Sequence, residues 1–370
     1  MNYQEFKEFV AGNIKEYLPD KYQDADVQIR EVTKNNNLKL DGLTVELSGQ
    51  NATPTIYLNG FYEQHVAGRQ MEEIMGSLAE VREAHDIEQN ISVEKFLNFE
   101  EVKDAITFQV VGTDANRDRL QNMPHRIEKD MALIYQIFLK KGEDGLAAIP
   151  ISNDMMEKMG VEEGILHDAA MENTPREFPA VFQSMVIVMR EIMRKDFMGF
   201  NLDELTEDDG LKEFLEYLLE ESMEEIEQEH TPMYVLTNED KLNGAAALFY
   251  PEVQEQIAEQ MGGDYFVLPS SVHEVLIVPD NGESDYRELR AAVNEINGTQ
   301  VPPDEVLTGE VYSYDKESRQ LMFASEKTER SHAAERAEEK PSIMDTLKAK
   351  KEEAMQSVSV GKMKTAEMEI

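Results

Sequence analysis

Cysteine and tryptophan are both missing from this chain of 370 residues. Without thiols, the protein has no disulfide bonds, no thiolate catalysis and no zinc or iron–sulfur site built on cysteine. No apolar run approaches the roughly 20 residues that a membrane-spanning helix requires. The opening MNYQEFKEFV also lacks the basic and then apolar order of a signal peptide. We therefore predict a cytoplasmic protein without a membrane segment.

Basic residues are scarce, with 36 Lys and Arg against 75 Asp and Glu, a net charge of −39. Residues 325–370 hold 9 basic and 10 acidic residues, so residues 1–324 carry −38 of that total. Such a field repels nucleic acids and anionic membranes, so direct nucleic-acid binding is not expected. The charge favours solubility, and it would also suit a basic protein partner.

Sequence motifs for cofactors and metals are missing as well. Neither a Walker loop nor a dinucleotide fingerprint occurs, and the seven histidines include no pair spaced for one helix face. The acidic residues are too numerous for any single cluster of them to indicate a metal site. We expect no cofactor and no metal. The oligomeric state is left open.

What is present is an alternation of strand and helix patterns that predicts an α+β fold, with antiparallel β-hairpins packed against helices. A helix over residues 2–18 precedes a three-stranded meander, whose first turn is Asn35–Asn37 because asparagine tolerates left-handed backbone. A second hairpin joins Met131–Leu139 to Leu146–Ile151. Residues 116–130 are interpreted as a helix and a loop broken at Pro124.

Other elements are less sharply defined by their pattern. A short helix over residues 164–172 should end before Pro175, because proline cannot continue a helix. Residues 178–194 are apolar on nearly all sides, so either a helix or a strand fits them.

The elements group into four regions. An N-terminal α+β region covers residues 1–200, and an acidic amphipathic helix over residues 201–230 connects it to a C-terminal α+β region, residues 231–324. The two α+β regions could form one body. Residues 325–370 are polar and mixed in charge, which is typical of a disordered tail.

Two segments share an order of elements that suggests a duplicated β-β-α unit. Residues 132–160 and 233–262 each contain an apolar strand, a turn ending in Asp-Gly or Asn-Gly, an Ala-rich apolar run and a helix ending in Met-Gly. Convergence on a common hairpin-plus-helix arrangement explains the match equally well.

The polar cluster most worth testing for chemistry is Ser270, Ser271, His273 and Glu274. In an extended strand, Ser271 and His273 would share a face, with Glu274 opposite. A serine beside a histidine can form a nucleophile, and these two residues are the weak catalytic candidates. No Gly-x-Ser-x-Gly elbow surrounds them. The alternative is a turn after Pro269 whose serines bind backbone groups, with His273 hydrogen-bonded at a strand edge.

The strings YVLTNEDKLNGAAALFYPEV, YFVLPSSVHEVLIVPD and MPHRIEKDMALIYQIFL carry a family likeness. The chain resembles a domain-of-unknown-function family of gut Firmicutes proteins, often found in integrated mobile elements, over most of residues 1–320. The resemblance implies a bacterial, intracellular protein. It brings no assigned activity and no catalytic residues.

Three functions follow as hypotheses. The first is an acidic, non-enzymatic binding or accessory protein with a basic partner. The second is a nucleic-acid mimic that occupies a DNA-binding protein, which requires the carboxylates of residues 203–229 to form a stripe with phosphate-like spacing. The third is a hydrolase that uses Ser271 and His273.

Overall fold

The computed structural model describes residues 1–50, 53–85, 93–142, 145–199, 232–269, 271–282 and 284–330. The helices in these ranges are α1 Tyr3–Tyr17, α2 Asn59–Val66, α3 Met71–Ala84, α4 Val93–Phe96, α5 Phe99–Val102, α6 Arg117–Leu120, α7 Asn153–Met159, α8 Glu163–Glu177, α9 Met185–Gly199, α10 Val253–Met261 and α11 Tyr286–Thr299. The strands are β1 Asp26–Thr33, β2 Lys39–Glu46, β3 Thr55–Tyr57, β4 Ile106–Gly112, β5 His125–Glu128, β6 Met131–Gly142, β7 Gly145–Pro150, β8 Ala180–Ser184, β9 Tyr234–Asn238, β10 Tyr265–Leu268, β11 Val275–Pro279, β12 Tyr312–Asp315 and β13 Gln320–Phe323. The predicted α+β class, with antiparallel strands and helices, is confirmed.

The N-terminal unit is the predicted helix and meander. Asn2 caps α1 in a capping box with Glu5, which fixes the start of the helix. Strands β1, β2 and β3 pair in sequence order, and α1 and α3 bury their apolar faces against them. The core of this unit comes from contiguous sequence: Phe6, Val10, Ile14, Leu18, Tyr22, Ala25, Leu43, Val45, Ile56, Leu58, Ile74, Met75, Leu78 and Ala79.

Two further sheets form the body of the protein. The long strand β6 pairs with β4, β5 and β7. The other sheet has six strands in the order β13-β12-β10-β11-β9-β8, all pairs antiparallel. One hydrophobic cluster runs through both sheets, so residues such as Ile106 and Tyr135 share a core with Leu236, Ile277 and Tyr312.

The predicted division into regions at residues 200 and 231 stays a prediction. The two largest hydrophobic clusters draw on residues 6–79 and on residues 102–314, since β8 adds to the sheet of β9–β13 and α8 packs on β4. The acidic helix predicted over residues 201–230 lies outside the described residues.

The second of the two similar segments does not repeat the β-β-α order of the first. Residues 131–160 form the hairpin and helix, but the corresponding return strand of the second segment is a 3-10 helix, Gly244–Phe249. Its backbone is held against β9 and the 271–273 turn, where a Cβ on Gly244 would lie 2.4 Å from His273 O. Its buried apolar residues fit either a strand or a helix by pattern, and tertiary packing decides between them.

Several predicted boundaries also change. Pro124 precedes a strand, β5, rather than a loop. Helix α8 runs through Pro175, since Asn173 and Thr174 are fixed in the helix by hydrogen bonds to β4 and its approach. Residues 178–194 contain both candidates, strand β8 and then the start of α9.

The tail predicted to be disordered from residue 325 begins as a helix. Residues 324–330 are helical, and Lys327 Nζ reaches Asp264 at 2.6 Å and Asp280 at 2.7 Å. These two ion pairs fasten the segment to β10 and β11. Residues 331–370 lie outside the described part of the chain.

Candidate functional site

The structure places Ser271 and His273 in a turn before β11, not in an extended strand. Ser271 Oγ accepts the backbone N–H of His273 at 3.0 Å, a short local bond of the kind that stabilises turns. The backbone of Ser271 makes a β-bridge with Val306. Ser271 is 9% exposed, so its hydroxyl is largely withdrawn from solvent.

The imidazole of His273 has partners at both nitrogens. Nδ1 accepts the backbone N–H of Asn243 at 3.1 Å, and Nε2 lies 3.5 Å from a carboxylate oxygen of Glu305. Neither nitrogen is left to take a proton from Ser271. The geometry favours the structural alternative, in which the two side chains stabilise the turn. The 3-10 helix and residues 305–306 then pack against this turn.

A second polar cluster forms between β5, β6 and α8, and no sequence motif marks it. Tyr135 donates its hydroxyl hydrogen to Glu163 Oε1, and Arg126 donates to Glu163 Oε2 at 3.0 Å. His167 Nδ1 lies 3.2 Å from the Tyr135 hydroxyl oxygen. Since that hydroxyl already donates to Glu163, it accepts from His167, which assigns the proton of the neutral ring to Nδ1.

The electrostatics of this cluster follow from its partial burial. Burial, followed by the bond to Glu163, raises the pKa of Tyr135 far above its ordinary value. Burial alone would raise the pKa of Glu163, but the hydrogen bonds from Tyr135 and Arg126 hold that pKa below its usual range. Burial and then the Arg126 charge lower the pKa of His167, so the imidazole is neutral at pH 7.

The arrangement presents a neutral, oriented imidazole whose Nε2 has no partner among the described residues. Such a ring can accept a proton or bind a metal. Within the described ranges, however, no group of three or more His, Asp or Glu residues is placed to hold a metal ion. The one signal in the sequence is the spacing of Glu163 and His167, four residues apart on one helix face.

A third polar region joins the N-terminal unit to the body, through the Asn35–Asn37 turn. Asn36 and Asn37 both have φ of 56°, as expected for a left-handed turn. Asn36 N–H donates to Asn116 Oδ1 at 3.0 Å, and Asn116 Nδ2 donates back to Asn36 Oδ1 at 2.8 Å. Asn36 Nδ2 also binds the carbonyls of Pro303 and Val306, at 2.9 and 2.6 Å. The asparagine turn therefore lies between two loops of the body and hydrogen-bonds to both.

Asp130 closes the same junction from the side of the β-sheet. Its carboxylate accepts hydrogen bonds from the hydroxyls of Thr308 and Tyr312, and its carbonyl accepts from Thr113 N–H at 2.8 Å. Burial raises the pKa of Asp130, partly opposed by the bond from Thr308. These contacts tie the start of β6 to the segment that leads into β12.

The fold and its polar clusters define an α+β protein with two large hydrophobic cores and partly buried polar junctions between its elements. The chain belongs to the family described as "Family of unknown function (DUF5688)", which matches residues 3–316. No curated protein and no solved structure matches it. Within the described residues, no helix combines the length and the apolar character needed to span a bilayer.

Proposed function

We propose that this protein is a cytoplasmic, non-enzymatic binding protein whose acidic surface engages a basic protein partner. The observation that carries the proposal is the outer face of the helical layer of the N-terminal unit. On α3 this face carries four exposed glutamates: Glu72, Glu73, Glu80 and Glu83. On α1 it carries three more: Glu5, Glu8 and Glu16.

The basic residues of these helices are engaged within the chain. Lys7 pairs with Asp41 at 3.0 Å, Lys15 donates to the carbonyl of Gln23, and Arg82 is 1% exposed with its guanidinium on the carbonyl of Val45. The helical layer therefore exposes many carboxylates and few cations, although one of the carboxylates, Glu73, pairs with Arg69 at 3.7 Å. Such a surface attracts a basic partner and accelerates its association.

The polar clusters support a binding role over catalysis. Ser271 and His273 are both occupied in a turn, and the Tyr135 hydroxyl is committed to Glu163. The hydrolase hypothesis would need His273 to leave both of its partners. The mimicry hypothesis depends on residues 203–229, which lie outside the described ranges. A bacterial, mobile-element setting, implied by the family resemblance, is part of the proposal.

The test is affinity capture from native lysate with the full chain, at low salt and at about 1 M salt, where the screening length falls to about 3 Å. We expect one stoichiometric basic partner at low salt and its release at high salt. Changing Glu72, Glu73, Glu80 and Glu83 to Gln should abolish capture.

A matched control removes exposed carboxylates from α11, with Glu288→Gln and Glu295→Gln, and should retain the partner. An empty capture at low salt, or equal capture by the α3 variant, would refute the proposal. Reversible unfolding of both variants in urea verifies that each is folded.

A further inference from the structure

An open cavity of about 610 Å³ lies where the tip of the β1–β2 hairpin faces α6 and the end of β7. A volume of this size suits a small molecule. Nine residues line the cavity: Thr33, Asn37, Lys39, Asp118, Arg119, Asn122, Met123, Pro150 and Ser152. None of them belongs to the Tyr135 cluster or to the Ser271 turn.

Arg119 is the unusual member of this lining. Its side chain is half-buried, and burial lowers the pKa of its guanidinium. Among the described residues, that guanidinium has neither a hydrogen bond nor an ion pair. Arg117, two positions earlier, is exposed and pairs with Asp114 at 2.7 Å, and Arg126 pairs with Glu163. Burying a cation without a partner costs free energy, so an unpaired guanidinium in an acidic protein needs an explanation.

The other charged groups of the cavity leave Arg119 without compensation. Lys39 is bound to Glu31 across the hairpin at 2.7 Å. Asp118 has an exposed side chain and forms no ion pair with Arg119 or Lys39 in the described structure. Met123 and Pro150 contribute an uncharged, apolar part of the lining.

Uncharged hydrogen-bond donors complete the lining. Ser152 Oγ accepts Met155 N–H at 3.2 Å as the cap of α7, which leaves the hydroxyl hydrogen free to donate. Asn37 adds an amide, exposed and without a side-chain hydrogen bond in the described structure. A planar guanidinium with nearby hydroxyl and amide donors is the chemistry that binds phosphate or carboxylate groups in a bidentate manner.

We infer that this cavity is a binding site for a small oxyanionic ligand, whose phosphate or carboxylate group pairs with Arg119. Ser152 and Asn37 donate to the same group, and Met123 and Pro150 contact the rest of the ligand. Arg119 supplies a local positive charge in this cavity, although the whole chain is strongly acidic. It is separate from the glutamate surface of α1 and α3.

Isothermal titration calorimetry of the full chain tests the site, with inorganic phosphate and citrate as the two probes. The salt is held at about 0.15 M to screen the overall negative charge. We expect saturable binding of one equivalent of at least one probe, and the probe that binds identifies phosphate or carboxylate as the preferred group. Arg119→Met should weaken binding by at least about tenfold, the loss of one charged bidentate contact.

Arg117→Met is the matched control, because it removes a cation from the same helix that does not line the cavity. It should keep the wild-type affinity. The proposal is overturned if neither probe gives saturable binding to the wild type. It is also overturned if Arg119→Met binds as tightly as the wild type, or if Arg117→Met loses as much affinity.

Thermal unfolding distinguishes an arginine that binds a ligand from one that only supports the fold, because the two roles predict opposite changes in the melting temperature of Arg119→Met. Without added anion, Arg119→Met should melt at the wild-type temperature or above it, since the variant removes a desolvated, unpaired charge. Adding the bound probe should raise the melting temperature of the wild type only. A clear fall in the melting temperature of Arg119→Met without anion would show that the guanidinium supports the fold, and would contradict the proposal.

Discussion

Asn36 and Asn37 are neighbours with the same left-handed backbone, yet they face two different kinds of polar region. Asn36 is locked into the junction by Asn116 and by the carbonyls of Pro303 and Val306. Asn37 lines the open cavity of Arg119 and has no side-chain hydrogen bond in the described structure. Polar groups that hydrogen-bond one another stabilise the fold, whereas polar groups without such bonds are free to bind a ligand. Mutations in the two polar regions should therefore differ in their effects on stability.

The largest effect is expected in the hydrogen-bonded cluster of Tyr135 and Glu163. Glu163→Ala removes the acceptor of a fully buried tyrosine hydroxyl and the partner of Arg126. We expect a loss of about 2–3 kcal/mol in the free energy of unfolding, measured in urea. Glu162→Ala, at the adjacent exposed position whose side chain makes no cap bond, should cost no more than about 0.5 kcal/mol. Equal losses in the two variants would mean that the cluster is not a stabilising network.

A smaller effect separates the two asparagines. Both alanine variants place alanine in a left-handed backbone conformation, which costs free energy. Only Asn36→Ala also loses the side-chain hydrogen bonds that hold the turn. Asn36→Ala should therefore be less stable than Asn37→Ala by about 1–2 kcal/mol in the same urea assay. If Asn37→Ala is the less stable of the two, the hydrogen bonds of the Asn36 side chain do not stabilise the fold.

The smallest effect is a pH dependence. The folded-state pKa of His167 is lowered, so the folded protein resists protonation while the unfolded chain accepts the proton. The stability that this lowered pKa contributes is complete above the ordinary pKa of about 6.5. It is lost as the pH falls through the lower pKa of the folded state. We expect the stability of the wild type to fall more steeply than that of His167→Gln between pH 7.5 and pH 5. Parallel profiles would remove His167 as a source of pH dependence.

Asp130 provides an internal check with the opposite sign. Its folded pKa is raised, so the folded protein takes up this proton first and gains stability as the pH falls from above that value toward 3.8. Relative to Asp130→Asn, the wild type should therefore become more stable on acidification. The comparison uses the same urea unfolding series as for His167→Gln.

Local patterns predicted much of the fold. The apolar spacing of Phe6, Val10 and Ile14 indicated α1, and the asparagine turn indicated the left-handed backbone that the structure shows. These elements follow from near neighbours in the sequence. The segment after Asn243 was mispredicted as a strand, because a fully buried apolar run has no period of its own and its packing against β9 decides the outcome.

The sites were much harder to predict than the fold. Ser271 and His273 are a catalytic candidate because they lie two positions apart in sequence, yet the structure gives each of them a backbone partner. Tyr135 and Glu163 meet although they are 28 residues apart in sequence, and Arg119 is distinguished by having no hydrogen bond or ion pair among the described residues. Contact between distant residues and the absence of a partner are both properties of the folded chain. A single sequence carries no sign of either.

The contacts of the asparagine turn also have a consequence for the order of folding during translation. Asn35 Nδ2 binds the carbonyl of Asp304, across 269 positions of sequence, whereas the core of the N-terminal unit is complete by Ala79. On the ribosome, that unit can therefore fold while most of the body is still to be made. Its docking must wait until residues 303–306 have emerged, so the polar turn stays in contact with water for most of translation. A turn of three asparagines can stay exposed to water during this time. An apolar turn in its place would expose a hydrophobic surface that promotes aggregation with other nascent chains.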